Sequence, residues 1–481
     1  MLNATFIVFA IDHSRLTAKT RVIAVVCQYF LFDACPGLYL TSMDHSSLIA
    51  VCTDVLEQNW NVDHTMPAPH LYPHQWLWDS CFVAIGLRHI DIEKAQTEIL
   101  RLLEGQWANG MIPHMIFDGA PKYKRDREIW RSYMSPFSPD THATSGITQP
   151  PLIAEAVIKI GEKLTKTKRL IFYKKVLPAL VTHHTWLMTE RDPHGEGLTL
   201  QIHPWETGLD NTPPWMMQLH EHSKPWWISL IETCKLDKVV NIVRRDTRHV
   251  PPGQRITNIE ALMVWDIVRR FRRKGYDINK ILHRTLFCIE DIGFNSILAR
   301  NNQLIIEIAE VARVKLDAAF IELINKHAWA LESCWNEEIS AYVSRDFITH
   351  SHIKELTIAS LLPLYSGVVS AEKAARIVTM LGDHHHFKLN HPLPSVPLSS
   401  TYFDSQRYWQ GPVWINTNWL IIDGLKRYGY TVEAESLRQK TLEVVTEHGA
   451  YEYFSPIDGS PLGAAQFSWT AALTVDLVHN Q

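Results

Sequence analysis

The 481-residue chain predicts an all-helical fold closed into a ring of paired helices. Three observations lead there. From about Asp44 onward, segments with apolar residues at helical spacing recur, separated by loops rich in Pro, Gly, Asn and aromatic residues. No fixed-period self-similarity is present, which counts against an open solenoid. The loops richest in reactive side chains lie far apart in sequence. A closed ring brings every loop of one rim to a common centre, as an extended stack of hairpins cannot.

Taken in order, the clearest helix begins after the N-cap Asp91 and sets Ile92, Ala95, Ile99 and Leu102 on one face before Gly110 ends the pattern. Further helices are expected at roughly 150–163, 168–190, 257–273, 303–331, 353–365, 371–382, 412–427, 431–447 and 468–479. No Pro/Gly/Ser-rich linker or charge run divides them. Residues 45–481 are therefore expected to form one catalytic-size domain, with 1–44 as an N-terminal extension that lacks matching signals.

Composition narrows the function. With 46% hydrophobic and 20% charged residues the chain is an ordinary globular protein able to bury a large core. Its formal charge of -4 offers no basic field for a phosphate backbone, so nucleic acid is not an expected partner. The 7 cysteines are scattered, without a C-x-x-C pair, and read as reduced, mostly buried thiols of a cytoplasmic protein. The apolar run from Arg21 to Phe32, preceded by Arg15 and Lys19, has the outline of a secretion signal. Its length and Gln28 argue against a membrane span, and the free thiols favour the cytoplasm.

Four loop segments mix aromatics with hydrogen-bonding groups: Leu71–Ser80, Trp107–Phe117 continuing to Thr144–Pro151, His203–Trp215, and Tyr408–Trp419. Such a mixture suits a sugar, which offers C–H faces to rings and hydroxyls to Asp, Gln and His. For any single tryptophan, plain core filling is the better reading.

Two acids stand out. Asp210 lies between Gly208 and Pro213-Pro214, where taken alone it reads as an Asx-turn residue. Glu452 is bracketed by Tyr451 and Tyr453, either facing solvent on a short strand or held in an apolar pocket that would raise its pKa. Glycosidic hydrolysis needs one carboxyl that protonates the leaving oxygen and one that is ionised, and these two are the candidates. The segment Val243–Arg255 is either a surface loop with an Arg-Asp pair or a fork of guanidinium donors for an acidic aglycone. His384–His386 directs adjacent imidazoles apart, and Asp63 with His64 has no ligand spacing, so no metal and no cofactor is expected. The chain has no G-x-G-x-x-G after a strand, no Walker A sequence and no G-x-S-x-G elbow.

Over roughly 45–481 the chain resembles glycoside hydrolase family 63, in particular its bacterial mannosylglycerate and glucosylglycerate hydrolases. Six segments carry the resemblance in the family's order: YPHQWLWDS, TSGITQPP, PWETGLDN, RRDTRHVPP, YWQGPVW and EYFSPIDGSPLG. What it implies is an (α/α)6 toroid with the site on one rim and an inverting mechanism, with Asp210 as general acid and Glu452 as general base. It also implies that Tyr72, Trp76, Trp78, Asp79, His114, Gln149, Trp205, Tyr408, Trp409, Gly411 and Trp414 surround the sugar. Arg244 and Gln466 would face the aglycone, Arg244 as the partner of a glycerate carboxylate. The sequence departs from the family over residues 1–44 and in the loop from Asp118 to Thr141, whose Lys122, Lys124, Arg125 and Arg127 would alter aglycone preference if the loop is a lid.

The expected function is inverting hydrolysis of an α-glycosidic bond in a small glycoside with an acidic aglycone, such as mannosylglycerate or glucosylglycerate. The expected partner is that small molecule, with no membrane and no nucleic acid. Two other readings stand beside it. One is an α-glucosidase on oligosaccharides, of the processing, trehalase or debranching type. The other is a sugar-binding protein without turnover.

Overall fold

A helix that is apolar on every side must be covered on every side, whereas a helix with one apolar stripe can serve as the cover. Both kinds alternate along this chain. A computed structural model describes residues 44–480 apart from 222, 223, 243 and 284. Among the described residues, twelve helices build the scaffold in chain order: α1 His45–Asn59, α2 Leu77–Leu87, α3 Ile92–Leu103, α4 Ile153–Lys163, α5 Lys166–Thr189, α6 Ile292–Ala312, α7 Ala318–Ala330, α8 Pro363–Ser366, α9 Ala371–Leu381, α10 Ile415–Arg427, α11 Thr431–His448 and α12 Ser468–His479.

The even-numbered helices form an inner ring. Each packs on the next, and α12 packs on α2 to close the circle. They read as the fully covered kind: every residue of α2 is buried, as is all of α12 up to Val478. The odd-numbered helices lie outside them, with α1 on α12, α3 on α2, α5 and α7 on α6, α9 on α8 and α11 on α10. Their stripes are narrow. In α3 only Ala95, Glu98, Ile99 and Leu102 are buried, and Asp91 caps the first turn by accepting from the Glu93 and Lys94 amides at 3.0 Å. Six outer–inner pairs closed in a ring make an (α/α)6 toroid, as the sequence led us to expect.

Two connections grow into extra structure. Between α3 and α4 the chain adds a helix at Lys124–Trp130, and between α5 and α6 it adds helices at Pro213–Glu221, Trp226–Thr233, Asn258–Arg273 and Ile278–Leu282. The helix Asn258–Arg273 begins with a capping box between Thr257 and Glu260 and packs on Lys124–Trp130. Both excursions run from an outer helix to an inner one, so both belong to the rim at which inner helices begin.

Two helix expectations need correction. The stretch 303–331 is not one helix: α6 starts earlier, at Ile292, and ends at Arg313, which is left-handed at φ 56°, and Asp317 then caps α7. The stretch 353–365 has no helix before Ile358, because Pro363 occupies the first turn of α8 and leaves only a 3-10 turn, Ile358–Leu361, ahead of it. The expected extension at 1–44 lies, up to residue 43, outside the described residues. No helix among the described residues is long and apolar enough to cross a membrane.

Candidate active site

The connections that enter inner helices carry the aromatic segments singled out in the sequence, and on that rim they enclose a cavity of about 400 Å³. Trp76 is the N-cap of α2, Trp414 that of α10 and Phe467 that of α12. A short antiparallel pairing of Gln75–Trp76 with Met115–Ile116 brings the second aromatic segment beside the first. Val413 and Phe454 exchange backbone hydrogen bonds at 2.8 and 3.0 Å, which fixes the Tyr408–Trp414 loop against the hairpin carrying Glu452.

Asp210 hangs from a loop with little freedom. The His203 imidazole accepts the Trp205 amide at 3.1 Å and starts the turn Pro204–Thr207. Gly208 ends that turn at φ 77°, and a Cβ there would lie 2.5 Å from the Trp78 ring, so only glycine fits. Glu206 pins the turn from beneath: its buried carboxylate takes both arms of Arg191 at 2.7 and 2.9 Å, and the Ile202 amide at 2.8 Å. Beyond the acid, Asn211 accepts the Trp409 amide at 2.8 Å. Asp210 itself is half-buried and accepts the Tyr408 hydroxyl at 3.0 Å. Burial pushes its carboxyl up to about 7, against the lowering pull of the Tyr408 hydroxyl and the Arg255 charge.

Glu452 sits on the strand Tyr451–Phe454, paired with Pro461–Ala465. It is buried, and every contact to it is a donor: Tyr72 Oη at 2.9 Å, both terminal nitrogens of Arg255, Nη1 at 3.1 Å, and the Ala464 amide at 3.0 Å. Gly463, at φ 72°, lets the strand pass close, since a Cβ there would come within 2.6 Å of the Glu452 carboxylate. A third carboxyl, Asp79, is buried on the cavity wall and held well above the usual range by burial, with the neighbouring Glu452 and Asp210 charges adding to it. The arrangement thus offers two acids biased toward the neutral form beside one carboxylate met only by donors.

Of the sequence-predicted residues, Tyr72, Trp76, Trp78, Asp79, Gln149, Trp205, Asp210, Arg244, Tyr408, Trp409 and Glu452 line the cavity. Four others stand apart from the wall. His114 is fully buried behind it, packed on Trp76, Trp130 and Trp205 with Nδ1 bonded to Ser145 Oγ at 2.5 Å. Trp414 lies flat under Trp409, ring centroids 3.8 Å apart, and donates to the Tyr408 carbonyl at 3.0 Å. Gly411 is packed against the Asp404 backbone, where a Cβ would meet its carbonyl oxygen at 2.3 Å. Gln466 is exposed, and its carbonyl receives the Asn59 side chain at 2.8 Å.

Arg244 reaches the cavity but is heavily engaged. Asp246 holds its Nε and Nη2 at 3.0 and 2.5 Å, and Nη1 donates to the Ile256 carbonyl and Asn258 at 2.9 and 3.0 Å. The loop after Asp118 docks through Asp126, which accepts from Arg245 at 2.8 Å and lies 3.1 Å from His74 Nε2, so Arg125, Asp126 and Ile129 form part of the wall. Sequence reasoning missed Arg255, Trp265 and Trp469, all of which line the cavity. Arg255 is one of several arginines in the segment Val243–Arg255 with nothing in the sequence to single it out, and Trp265 looks like one more residue of an amphipathic helix.

Four buried polar atoms on the cavity wall have no hydrogen-bond partner among the described residues: Trp76 Nε1, Gln149 Oε1, Arg255 Nε and Trp469 Nε1. Buried polar groups are ordinarily paired, so such a cluster marks a place where a ligand's own donors and acceptors complete the bonds. Away from the cavity, His194, Glu196 and His350 come within 4.8 Å of one another on the surface, with Glu196 paired to Arg345 at 2.7 Å.

Comparison with known proteins places the chain in a family. Residues 72–470 match the family model described as the mannosylglycerate hydrolase MGH1-like glycoside hydrolase domain. The chain is 35% identical to mannosylglycerate hydrolase MGH1 of Selaginella moellendorffii over 91% of this chain and 86% of that one. It is 31% identical to the glucosylglycerate hydrolase of Mycolicibacterium hassiacum, over 86% of this chain and 93% of that one. A crystal structure of the GH63 mannosylglycerate hydrolase of Thermus thermophilus, in complex with Tris and D-glycerate, superposes with a TM-score of 0.79 at 33% identity, covering 89% of this chain and 99% of that one. The chain therefore belongs to the mannosylglycerate hydrolase MGH1-like glycoside hydrolases of family 63.

Proposed function

We propose that this glycoside hydrolase cleaves the α-glycosidic bond of mannosylglycerate or glucosylglycerate with inversion at the anomeric carbon, Asp210 acting as general acid and Glu452 as general base. The observation that carries the reading is the contrast between the two carboxyls on one cavity. Asp210 keeps its proton up to about pH 7, whereas Glu452 is surrounded by donors alone.

Asp210 gives its proton to the glycosidic oxygen as the bond from that oxygen to the anomeric carbon breaks. Glu452 takes a proton from a water whose oxygen bonds to the same carbon from the opposite face. Inversion needs room for that water, which corresponds to carboxyl groups about 6.5–9.5 Å apart. The wall tryptophans cover the sugar's C–H faces, and Trp76, Gln149, Trp469 and the neutral Asp79 meet its hydroxyls. The guanidinium groups of Arg244, Arg245 and Arg248 on the same cavity favour an anionic aglycone. The names of the relatives, mannosylglycerate and glucosylglycerate hydrolases, support the same substrate class.

Residues 45–481 act on this reading as one catalytic domain working in carbohydrate metabolism. The unpaired cysteines among the described residues, four buried and Cys234 exposed, favour a reducing, cytoplasmic setting.

The test is a panel of mannosylglycerate, glucosylglycerate, trehalose and maltose, followed by proton NMR during the first turnovers. The expected result is fast release from a glycerate glycoside with the β-anomer appearing first. Initial α-anomer would overturn inversion, and equal turnover of trehalose or maltose would overturn the acidic aglycone. Sugar binding with no release from any of the four would favour a non-catalytic protein.

A further inference from the structure

Glu452 is more fully bonded than a general base can be while it works. Its Oε1 accepts Tyr72 Oη at 2.9 Å and Arg255 Nη1 at 3.1 Å, and its Oε2 accepts Arg255 Nη2 and the Ala464 amide at 3.0 Å. An ionised carboxylate offers about four lone-pair sites, so these four donors fill them. A base must keep one lone pair for the proton it receives. One donor has to yield when water and substrate enter.

The four donors are unequally fixed. The Ala464 amide belongs to the hairpin that carries Glu452. Arg255 is buried, and its guanidinium lies 4.7 Å from the Tyr408 ring centre, 5.7 Å from that of Tyr453 and 5.8 Å from that of Tyr72. The neighbouring Gln254 is tied at both ends, its carbonyl accepting Tyr453 Oη at 2.6 Å and its side chain accepting the Gly463 amide at 3.0 Å. Arg255 therefore has nowhere to go. Tyr72 lines the cavity, and its hydroxyl also accepts Arg255 Nη1 at 2.8 Å, so it can release Glu452 and still be bonded.

We propose that Arg255 is the positioning residue of the general base: its fork fixes the plane of the Glu452 carboxylate, and the attacking water takes the Oε1 lone pair that the Tyr72 hydroxyl occupies. The water then donates one hydrogen to Oε1 and aims its oxygen into the cavity. That hydrogen passes to Oε1 as the oxygen bonds to the anomeric carbon, and the electron pair of the broken bond leaves on the glycosidic oxygen, which Asp210 protonates. A lysine at 255 would keep the charge and lose the fork, leaving the carboxylate free to rotate. Besides Arg255, the charged or titratable groups that face Glu452 are Tyr72, Tyr408, Tyr453, Asp210 and Asp79.

The inference rests on the reading of Glu452 as base, and the experiment separates the two. Arg255→Lys and Arg255→Ala are compared with Glu452→Gln on the preferred glycerate glycoside, recording kcat, KM and their pH profiles, with circular dichroism to confirm folding. For Arg255→Lys the expected result is a kcat about 10²-fold lower with KM little changed, and an ascending limb of kcat/KM displaced to higher pH. Arg255→Ala is expected to regain turnover with added methylguanidinium and not with methylammonium. A folded Arg255→Lys with normal kcat, a loss confined to KM, or an undisplaced limb would overturn the positioning role. So would an Arg255→Ala that methylguanidinium does not restore. Normal turnover by Glu452→Gln would instead show that the base itself is misassigned.

Discussion

Tyr408 donates its hydroxyl to Asp210 Oδ2 at 3.0 Å across 198 residues of sequence, and the same tyrosine ring lies under the Arg255 guanidinium that grips Glu452. One side chain thus touches the surroundings of both carboxyls. The aromatic loop ahead of α10 thus links the two carboxyls, with Trp409 and Trp414 stacked behind it.

The first consequence concerns pH. As the proposed general acid, Asp210 acts only while protonated, so with a carboxyl near 7 the descending limb of kcat/KM should fall through about pH 7 and disappear in Asp210→Asn. Stability follows the same shift. The folded carboxyl lies above its ordinary 3.8, so the folded protein bears no ionisation cost below that value, an increasing one between 3.8 and about 7, and the whole of it above. Asp210→Asn should therefore melt higher than wild type at pH 8, with the gap closing toward pH 4. A gap independent of pH would contradict the buried-acid assignment.

Arg244 tests the aglycone. Removing one charge-assisted contact to a carboxylate costs roughly ten- to a hundredfold in binding. Arg244→Ala should raise KM for glycerate glycosides by that factor while sparing neutral α-glycosides. Equal effects on both classes would show that Arg244 serves only its internal bonds to Asp246 and Asn258.

Glu206 lies four residues before Asp210 in sequence yet has no path to the chemistry, because Arg191 and two backbone amides consume its oxygens. Glu206→Gln should leave Arg191 buried without its partner, lowering stability by about 3–5 kcal/mol in urea titration. Because the same turn holds Asp210, kcat should fall as well. Retained stability would mean the pair is dispensable.

At the ring closure, Asp476 of α12 accepts Arg88 at 2.8 Å, His89 at 2.9 Å and the Trp419 indole at 2.9 Å. Burial alone would raise this carboxyl, but those bonds and the Arg88 charge hold it below its ordinary value. The stability it contributes is present above pH 3.8 and is lost as pH falls through the lowered value. Asp476→Asn should cost about 3 kcal/mol at neutral pH and much less in acid. An equal loss at both would point to packing instead of charge.

How much of this was legible in the sequence depended on locality. The outer helices with one stripe, such as α3, announced themselves. Helix α2 carries apolar residues all round and has no 3.6-residue signature, so the sequence marks its beginning beside Asp79 and not its extent. Pro363 and Asp317 are ordinary start signals that long apolar patterns masked. In the site, the aromatic segments pointed to a sugar, but no spacing could join Asp210 to Glu452, and the family resemblance supplied that link. Arg255 was invisible for the same reason: its partner lies 197 residues further on, and what distinguishes it is a tertiary contact.

The roles of the two carboxyls are separated most directly by α-mannosyl and α-glucosyl fluorides, whose leaving group departs without protonation. Rates for Asp210→Asn and Glu452→Gln on the better fluoride are set beside their rates on the matching glycerate glycoside. Asp210→Asn should lose the glycerate glycoside by about 10²- to 10⁴-fold and keep the fluoride, whereas Glu452→Gln should lose both. An Asp210→Asn equally inactive on the fluoride, or a Glu452→Gln that hydrolyses it normally, would contradict the assignment of acid and base.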